Sequence, residues 1–131
     1  MSDYLADTSI FIAAEIGRDL GDVPPGKGRI SVATLMELNL GVRSATDPAM
    51  KELREATLTK ARKYIALTYD EAVAETLAGL VHAARSRRRR APAEDAIIAA
   101  TALVHDLTVW TQDEDFDVLA DLEPKLRVHR S

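Results

Sequence analysis

PAEDAIIAATALVHDLTVWTQDEDF, residues 92–116, carries the reading on which the fold turns. Pro92 sets the first turn of a helix, and the apolar run Ala96 to Val104 carries that helix to about His105. Leu107 to Thr111 (LTVWT) then gives five residues rich in β-branched and aromatic side chains, a short buried strand. Gln112 to Asp115 is too polar to extend it, and a short helix around Phe116 to Leu122 follows. A buried helix feeding a buried strand, an acidic turn and another helix is the grammar of a parallel sheet covered on both faces.

Outward from this stretch the same grammar recurs. Tyr4, Leu5 and Ala6 read as a small buried strand that stops at Asp7, and Thr8 or Ser9 can cap a helix over Ile10 to Ile16, closed by Gly17. GDVPPGKG (21–28) is a loop, Arg29 and Ile30 a short strand, and Ser31 the cap of a helix with Leu35, Leu38 and Val42 on one face. Asp47-Pro48 starts a helix of about four turns. Thr68 and Glu71 have capping-box spacing, which predicts a helix to about Arg85. Leu126 to His129 makes the last strand. The fold class is α/β. Ile10, Phe11, Leu35, Leu38, Leu77, Leu80, Ile98, Ala102, Leu103 and Val109 are expected in the core, and Trp110 in packing. The helices that carry Ala13, Leu38 and Val42 are expected to supply a dimer face.

Composition narrows the chemistry. A chain of 131 residues suits one domain, 1–131, and a formal charge of −4 is unsuited to coating polyanions generally. There is no cysteine, so thiolate catalysis and cysteine-ligated zinc are excluded. His82, His105 and His129 lack metal-binding spacing. No apolar run reaches the roughly 18 residues of a membrane span, and MSDYLADTS lacks the pattern of a leader, which predicts a cytoplasmic protein.

The acids are the informative residues. In sheets of this kind functional groups gather beyond the carboxyl ends of the strands. Asp7 follows the first strand, and Asp113 and Asp115 follow LTVWT. Asp95 lies in the first turn of its helix, and Glu37 lies between Met36 and Leu38 in another. Singly, each has a structural reading: Asp7, Asp113 and Asp115 as caps, Asp95 as an acid on a helix dipole worth about 0.3–1 kcal/mol, Glu37 as a solvated surface residue. Together they fall along one sheet edge, where like charges repel unless a proton or a cation intervenes. An oxygen-only cluster suits Mg2+ or Mn2+ and points to metal-dependent phosphodiester hydrolysis. Four arginines, Arg87, Arg88, Arg89 and Arg90, precede Asp95; they read either as a solvated turn or as a rim that holds phosphates.

LADTS (5–9), SVATLMEL (31–38), PAEDAIIAATAL (92–103) and TQDEDF (111–116) resemble the successive motifs of PIN-domain ribonucleases, in particular the VapC toxins of toxin–antitoxin pairs. The resemblance implies a parallel sheet of about five short strands sandwiched by helices. It also implies a metal site of Asp7, Glu37, Asp95 and Asp113, with Asp115 beside it and the hydroxyls of Ser9 and Thr111 lining it. It further implies an endoribonuclease that uses Mg2+ or Mn2+, a homodimer, and inhibition by a cognate antitoxin. The family often has a glycine in the basic stretch that arginines fill here. Two alternatives stand beside this reading: a housekeeping PIN nuclease of RNA maturation or decay, and a non-enzymatic receiver-like signalling domain. The receiver would want paired acids after its first strand and a late lysine, and neither is present.

Overall fold

The computed structural model describes residues 3–131; Met1 and Ser2, part of the stretch read above for a leader, lie outside the described residues. Eleven elements follow one another: β1 (Tyr4–Ala6), α1 (Thr8–Glu15), β2 (Gly28–Ser31), α2 (Val32–Arg43), α3 (Pro48–Ala61), β3 (Ile65–Leu67), α4 (Glu71–Ser86), α5 (Ala93–Val104), β4 (Thr108–Thr111), α6 (Asp115–Leu122) and β5 (Val128–Arg130). The strands form one parallel sheet in the order β3-β2-β1-β4-β5. Receiver domains order their strands 2-1-3-4-5. The topology therefore removes the receiver reading.

Side chains alternate across so short a sheet, and each face gathers its own core. Tyr4, Ala6, Ile30 and Trp110 pack with Ile10 and Phe11 of α1 and Leu58 and Ala61 of α3. Leu5 and Val109 pack on the other side against Val73 and Leu80 of α4, Ile98 of α5, and Phe116 and Leu119 of α6. Full burial of one such side chain, Phe116 for example, contributes about 1.5–3 kcal/mol. Because both faces are covered, β1 and β4 read in sequence as continuous apolar runs.

The chain leaves β1 toward β2 on one side, whereas β4 lies against β1 on the other. The order thus reverses between β1 and β4, and a crevice opens beyond their carboxyl ends. Asp7 follows β1 and Asp113 follows β4, so the two lie on either flank of that crevice.

Three expectations need correction. β3 was not anticipated: it has three residues, lies at the sheet edge and leaves Ile65 exposed, so it has no periodic signal. α4 is capped by Asp70, whose side chain accepts from the Val73 backbone N–H, and not by Thr68. α1 is capped by Asp7, not by Thr8 or Ser9. On the helices that carry Ala13, Leu38 and Val42, those three side chains pack inward. The exposed apolar side chains there are Ile12 of α1, Ile16 just past it, and Met36 and Leu40 of α2.

Candidate active site

Asp7 is 3% exposed at the end of β1, and its backbone N–H donates to the Trp110 carbonyl of the neighbouring strand. Oδ2 accepts from the Ser9 N–H (3.3 Å) and from the Thr111 hydroxyl (2.9 Å). Burial pushes the carboxyl up from its ordinary value, against the pull of these hydrogen bonds. Thr111, wholly buried, also accepts the Asp113 N–H (2.9 Å), and Ser9 Oγ lies 3.1 Å from its hydroxyl while accepting the Gln112 N–H. A hydroxyl has one proton, so with Thr111 donating to Asp7 the Ser9 hydroxyl donates to Thr111. The two hydroxyls stitch the β1–α1 turn to the β4–α6 turn.

On the far side of that seam are three more carboxylates. Asp95, in the first turn of α5, offers an oxygen that lies within 4.8 Å of one from Asp113 and one from Asp115, all three mutually that close. The Asp113 carboxylate accepts the Asp115 N–H (2.9 Å), which fixes the turn into α6. Asp95 bears the electrostatic consequence. Burial first, then the nearby charges of Asp113, Asp7 and Asp115, push its pKa to about 8. None of the ion pairs among the described residues involves Asp7, Glu37, Asp95, Asp113 or Asp115. The cluster therefore carries negative charge without a protein cation to neutralise it, and hard oxygen donors of this kind fit a divalent metal ion.

Glu37 enters from the second turn of α2. Its Oε1 accepts a hydrogen bond from the Thr8 hydroxyl (2.7 Å), which in turn lies 3.0 Å from the Thr34 hydroxyl. Burial raises the Glu37 pKa, the Thr8 bond lowers it, and the carboxylates of Asp7, Glu94 and Asp113 raise it again. Glu37 thus shares a field with Asp7 and Asp113 without belonging to the tight trio.

A PIN-domain family model matches residues 4–122. Ribonuclease VapC4 of Mycobacterium tuberculosis H37Rv is 42% identical over 120 residues, spanning 91% of this chain and 92% of that relative. The chain belongs to the PIN-domain family, in its VapC branch. Ribonuclease VapC8 of the same species is 43% identical over 100 residues, 75% of this chain and 88% of the relative. A crystal structure of VapBC-5, a member of the VapBC family of toxin–antitoxin systems from M. tuberculosis, superposes over 100% of both chains with a TM-score of 0.86 and 31% identity.

Within this PIN domain, sequence reasoning named these five carboxylates and the hydroxyls of Ser9 and Thr111 but missed the groups around Glu37. Thr8 and Thr34 are buried hydroxyls that orient Glu37, and Glu94 bears on the same carboxylate from α5. Their only sequence signal is adjacency: Thr8 follows Asp7, Thr34 lies three residues before Glu37, and Glu94 precedes Asp95.

The four arginines do not act alike. Arg87 donates to the Asp121 carbonyl (3.2 Å) and Arg89 lies 3.8 Å from the Asp121 carboxylate. Both are thus held at the end of α6 opposite Asp115, roughly 9 Å along the helix axis. Arg88 and Arg90 are exposed. Arg88 also holds φ +53, with its N–H bonded to the Arg85 carbonyl and that of Arg89 to the Ala84 carbonyl. That pattern is a Schellman closure of α4, whose left-handed position glycine occupies most easily. The glycine expected in this stretch is thus replaced by an arginine in glycine's conformation.

Proposed function

We propose that this chain is a toxic endoribonuclease that hydrolyses RNA phosphodiester bonds with a divalent metal ion, Mg2+ or Mn2+, and is silenced by a cognate antitoxin. The observation that carries this reading is the trio Asp95, Asp113 and Asp115 in a VapC-family chain, three carboxylates within 4.8 Å that no ion pair among the described residues offsets. Likeness to the VapBC-5 toxin–antitoxin structure supports the antitoxin.

Asp95, Asp113 and Asp115 would hold the metal, with Asp7 and Glu37 completing its surroundings. When bound, the ion supplies charge neutralisation at the phosphate and acidifies an attacking water. The protein does the rest. Thr111 and Ser9 orient Asp7, and their hydrogen bonds favour its charged form against burial. Thr8 holds Glu37 where it can accept a proton from water. Asp95 releases its proton as positive charge enters the cluster. Arg88 and Arg90, exposed in the turn that leads into α5, would hold RNA phosphates at the rim. Arg87 and Arg89, tied to α6, would do so less directly.

The exposed apolar residues Ile12, Met36 and Leu40 line a hollow that also takes in Glu37 and Glu94. An antitoxin segment with apolar side chains and a cation would fit it and block the carboxylates together. The working enzyme is proposed to be a cytoplasmic homodimer of single-domain chains. Among the described residues no helix is long and apolar enough to cross a membrane.

The test is RNA cleavage by the purified chain. Cutting requires Mg2+ or Mn2+, stops in EDTA, and is lost in Asp95→Ala. Growth arrest on expression, relieved by co-expressing the neighbouring gene, separates a toxin from a housekeeping nuclease. Cleavage that persists in Asp95→Ala overturns the site.

A further inference from the structure

The acids occupy the carboxyl ends of the strands, and a second hollow opens along one face of the sheet. Its lining runs from Ile10 and Phe11 of α1 and Trp110 of β4 to Gly28 and Ile65, the first residues of β2 and β3. The cavity measures ≈ 690 Å³, within the range of small-molecule sites. Tyr64, half-buried, gives its aromatic wall an accessible ring, with Phe11 and Trp110 packed behind it; Lys27, Lys60 and Lys63 stand exposed around it. Arg29 contributes a further cation, partly offset by Asp3 at 3.8 Å. No carboxylate is among the lining residues, although the chain as a whole carries a formal charge of −4.

Gly28 keeps the floor of this hollow closed. A Cβ there would come within 2.8 Å of the Tyr4 ring, whose edge packs against Trp110. Tyr64 is likewise edge-on to Phe11, with ring centroids 5.5 Å apart. The aromatic wall is thus rigidly braced, and the lysines are free to reach a ligand. An accessible aromatic ring beside several exposed cations suits a ligand that joins a planar ring to an anionic group.

We propose that this basic, aromatic-walled cavity binds a nucleoside phosphate, its base against the wall and its phosphate among Lys27, Lys60 and Lys63. The ligand is either a free mononucleotide or one nucleotide of an RNA strand; the chemistry recognised is the same. An acidic peptide would satisfy the lysines but would leave the aromatic wall without a partner. The site contains none of the carboxylates and needs no metal.

The cavity carries its own reporter, because Trp110 is the only tryptophan of the chain and lines it. The full-length protein in EDTA is titrated with adenosine monophosphate, adenosine, inorganic phosphate and a short oligoribonucleotide, followed by tryptophan fluorescence and calorimetry. Adenosine monophosphate is expected to saturate the Trp110 signal. Adenosine and phosphate alone should bind about tenfold or more weakly, and Lys60→Gln/Lys63→Gln should weaken the nucleotide about tenfold. Both lysines are exposed, so the double variant should keep the melting temperature of the parent. Tighter binding of the oligoribonucleotide, lost in the same variant, assigns the source to RNA; its indifference to that variant assigns it to the free nucleotide. The proposal is overturned if neither nucleotide ligand saturates the signal at millimolar concentration, if the lysine variant binds adenosine monophosphate unchanged, or if an oligoglutamate peptide binds there more tightly.

Discussion

The Thr111 hydroxyl donates to Asp7 Oδ2 across 2.9 Å of space and 104 residues of sequence, while Thr111 Oγ1 itself accepts the Asp113 N–H. One side chain thus sets the distance between the two strand ends that flank the crevice. Replacing it with valine preserves shape and removes all of this at once. Thr111→Val should weaken Mn2+ binding by roughly 10–100-fold, the range for losing a group that orients metal ligands. It should also cost about 1–3 kcal/mol of stability, because the Asp113 N–H loses its partner. Manganese calorimetry and a denaturant melt read the two effects, and metal affinity equal to the parent's would deny Thr111 its role.

Asp95 makes the metal-free protein sensitive to pH in a definite direction. Its folded pKa of about 8 lies above the 3.8 of an ordinary aspartate, so between these values the folded chain keeps a proton that the unfolded chain has lost. Stability must then fall as pH rises through that window. Asp7 and Glu37, also raised, act in the same sense. In EDTA the Tm should drop from about pH 5 to pH 8, and Asp95→Asn should flatten the drop. Metal competes with the same proton, so Mn2+ affinity should climb over the same window. A Tm that rises toward pH 8 without metal contradicts the assignment.

How much of this was legible beforehand follows from where each signal resides. Asp7 and Asp113 were readable because apolar strands deliver them to a sheet end, and the strands are short enough to see whole. Asp95 was readable from Pro92 and the apolar helix behind it. Glu37 sits inside a helix, where sequence gives no hint of which hydroxyl will face it, so Thr8 and Thr34 were missed. β3 escaped because an edge strand of three residues buries too little to leave a pattern. Thr68 lost the cap of α4 to Asp70, since an aspartate immediately before the first helical residue reaches the Val73 N–H directly.

Thr8 offers a test of orientation rather than of ligation. Its hydroxyl donates to Glu37 at 2.7 Å, and serine could make the same bond while valine could not. Thr8→Val should lower kcat by roughly tenfold, with RNA KM little changed, as expected when a group that aims a catalytic carboxylate is removed. Thr8→Ser should restore most of the rate. Equal activity in the valine and serine variants would reduce Thr8 to a packing residue.

Arg88 separates backbone from charge. It holds φ +53 at the closure of α4, a left-handed conformation that costs a side-chain-bearing residue about 1–2 kcal/mol and glycine almost nothing. Arg88→Gly should therefore raise stability by about 1 kcal/mol, or Tm by about 3 °C. Arg88→Ala keeps the Cβ and so keeps the strain, and its Tm should match that of the parent. If Arg88 also holds a phosphate, both variants lose that contact, and the slope of log RNA affinity against log salt should fall by about 1 in each. A stability gain in the glycine variant alone, with identical results for RNA, would show that this position trades conformational ease for a cation. A glycine variant no more stable than the alanine variant would mean that α4 closes without strain at Arg88.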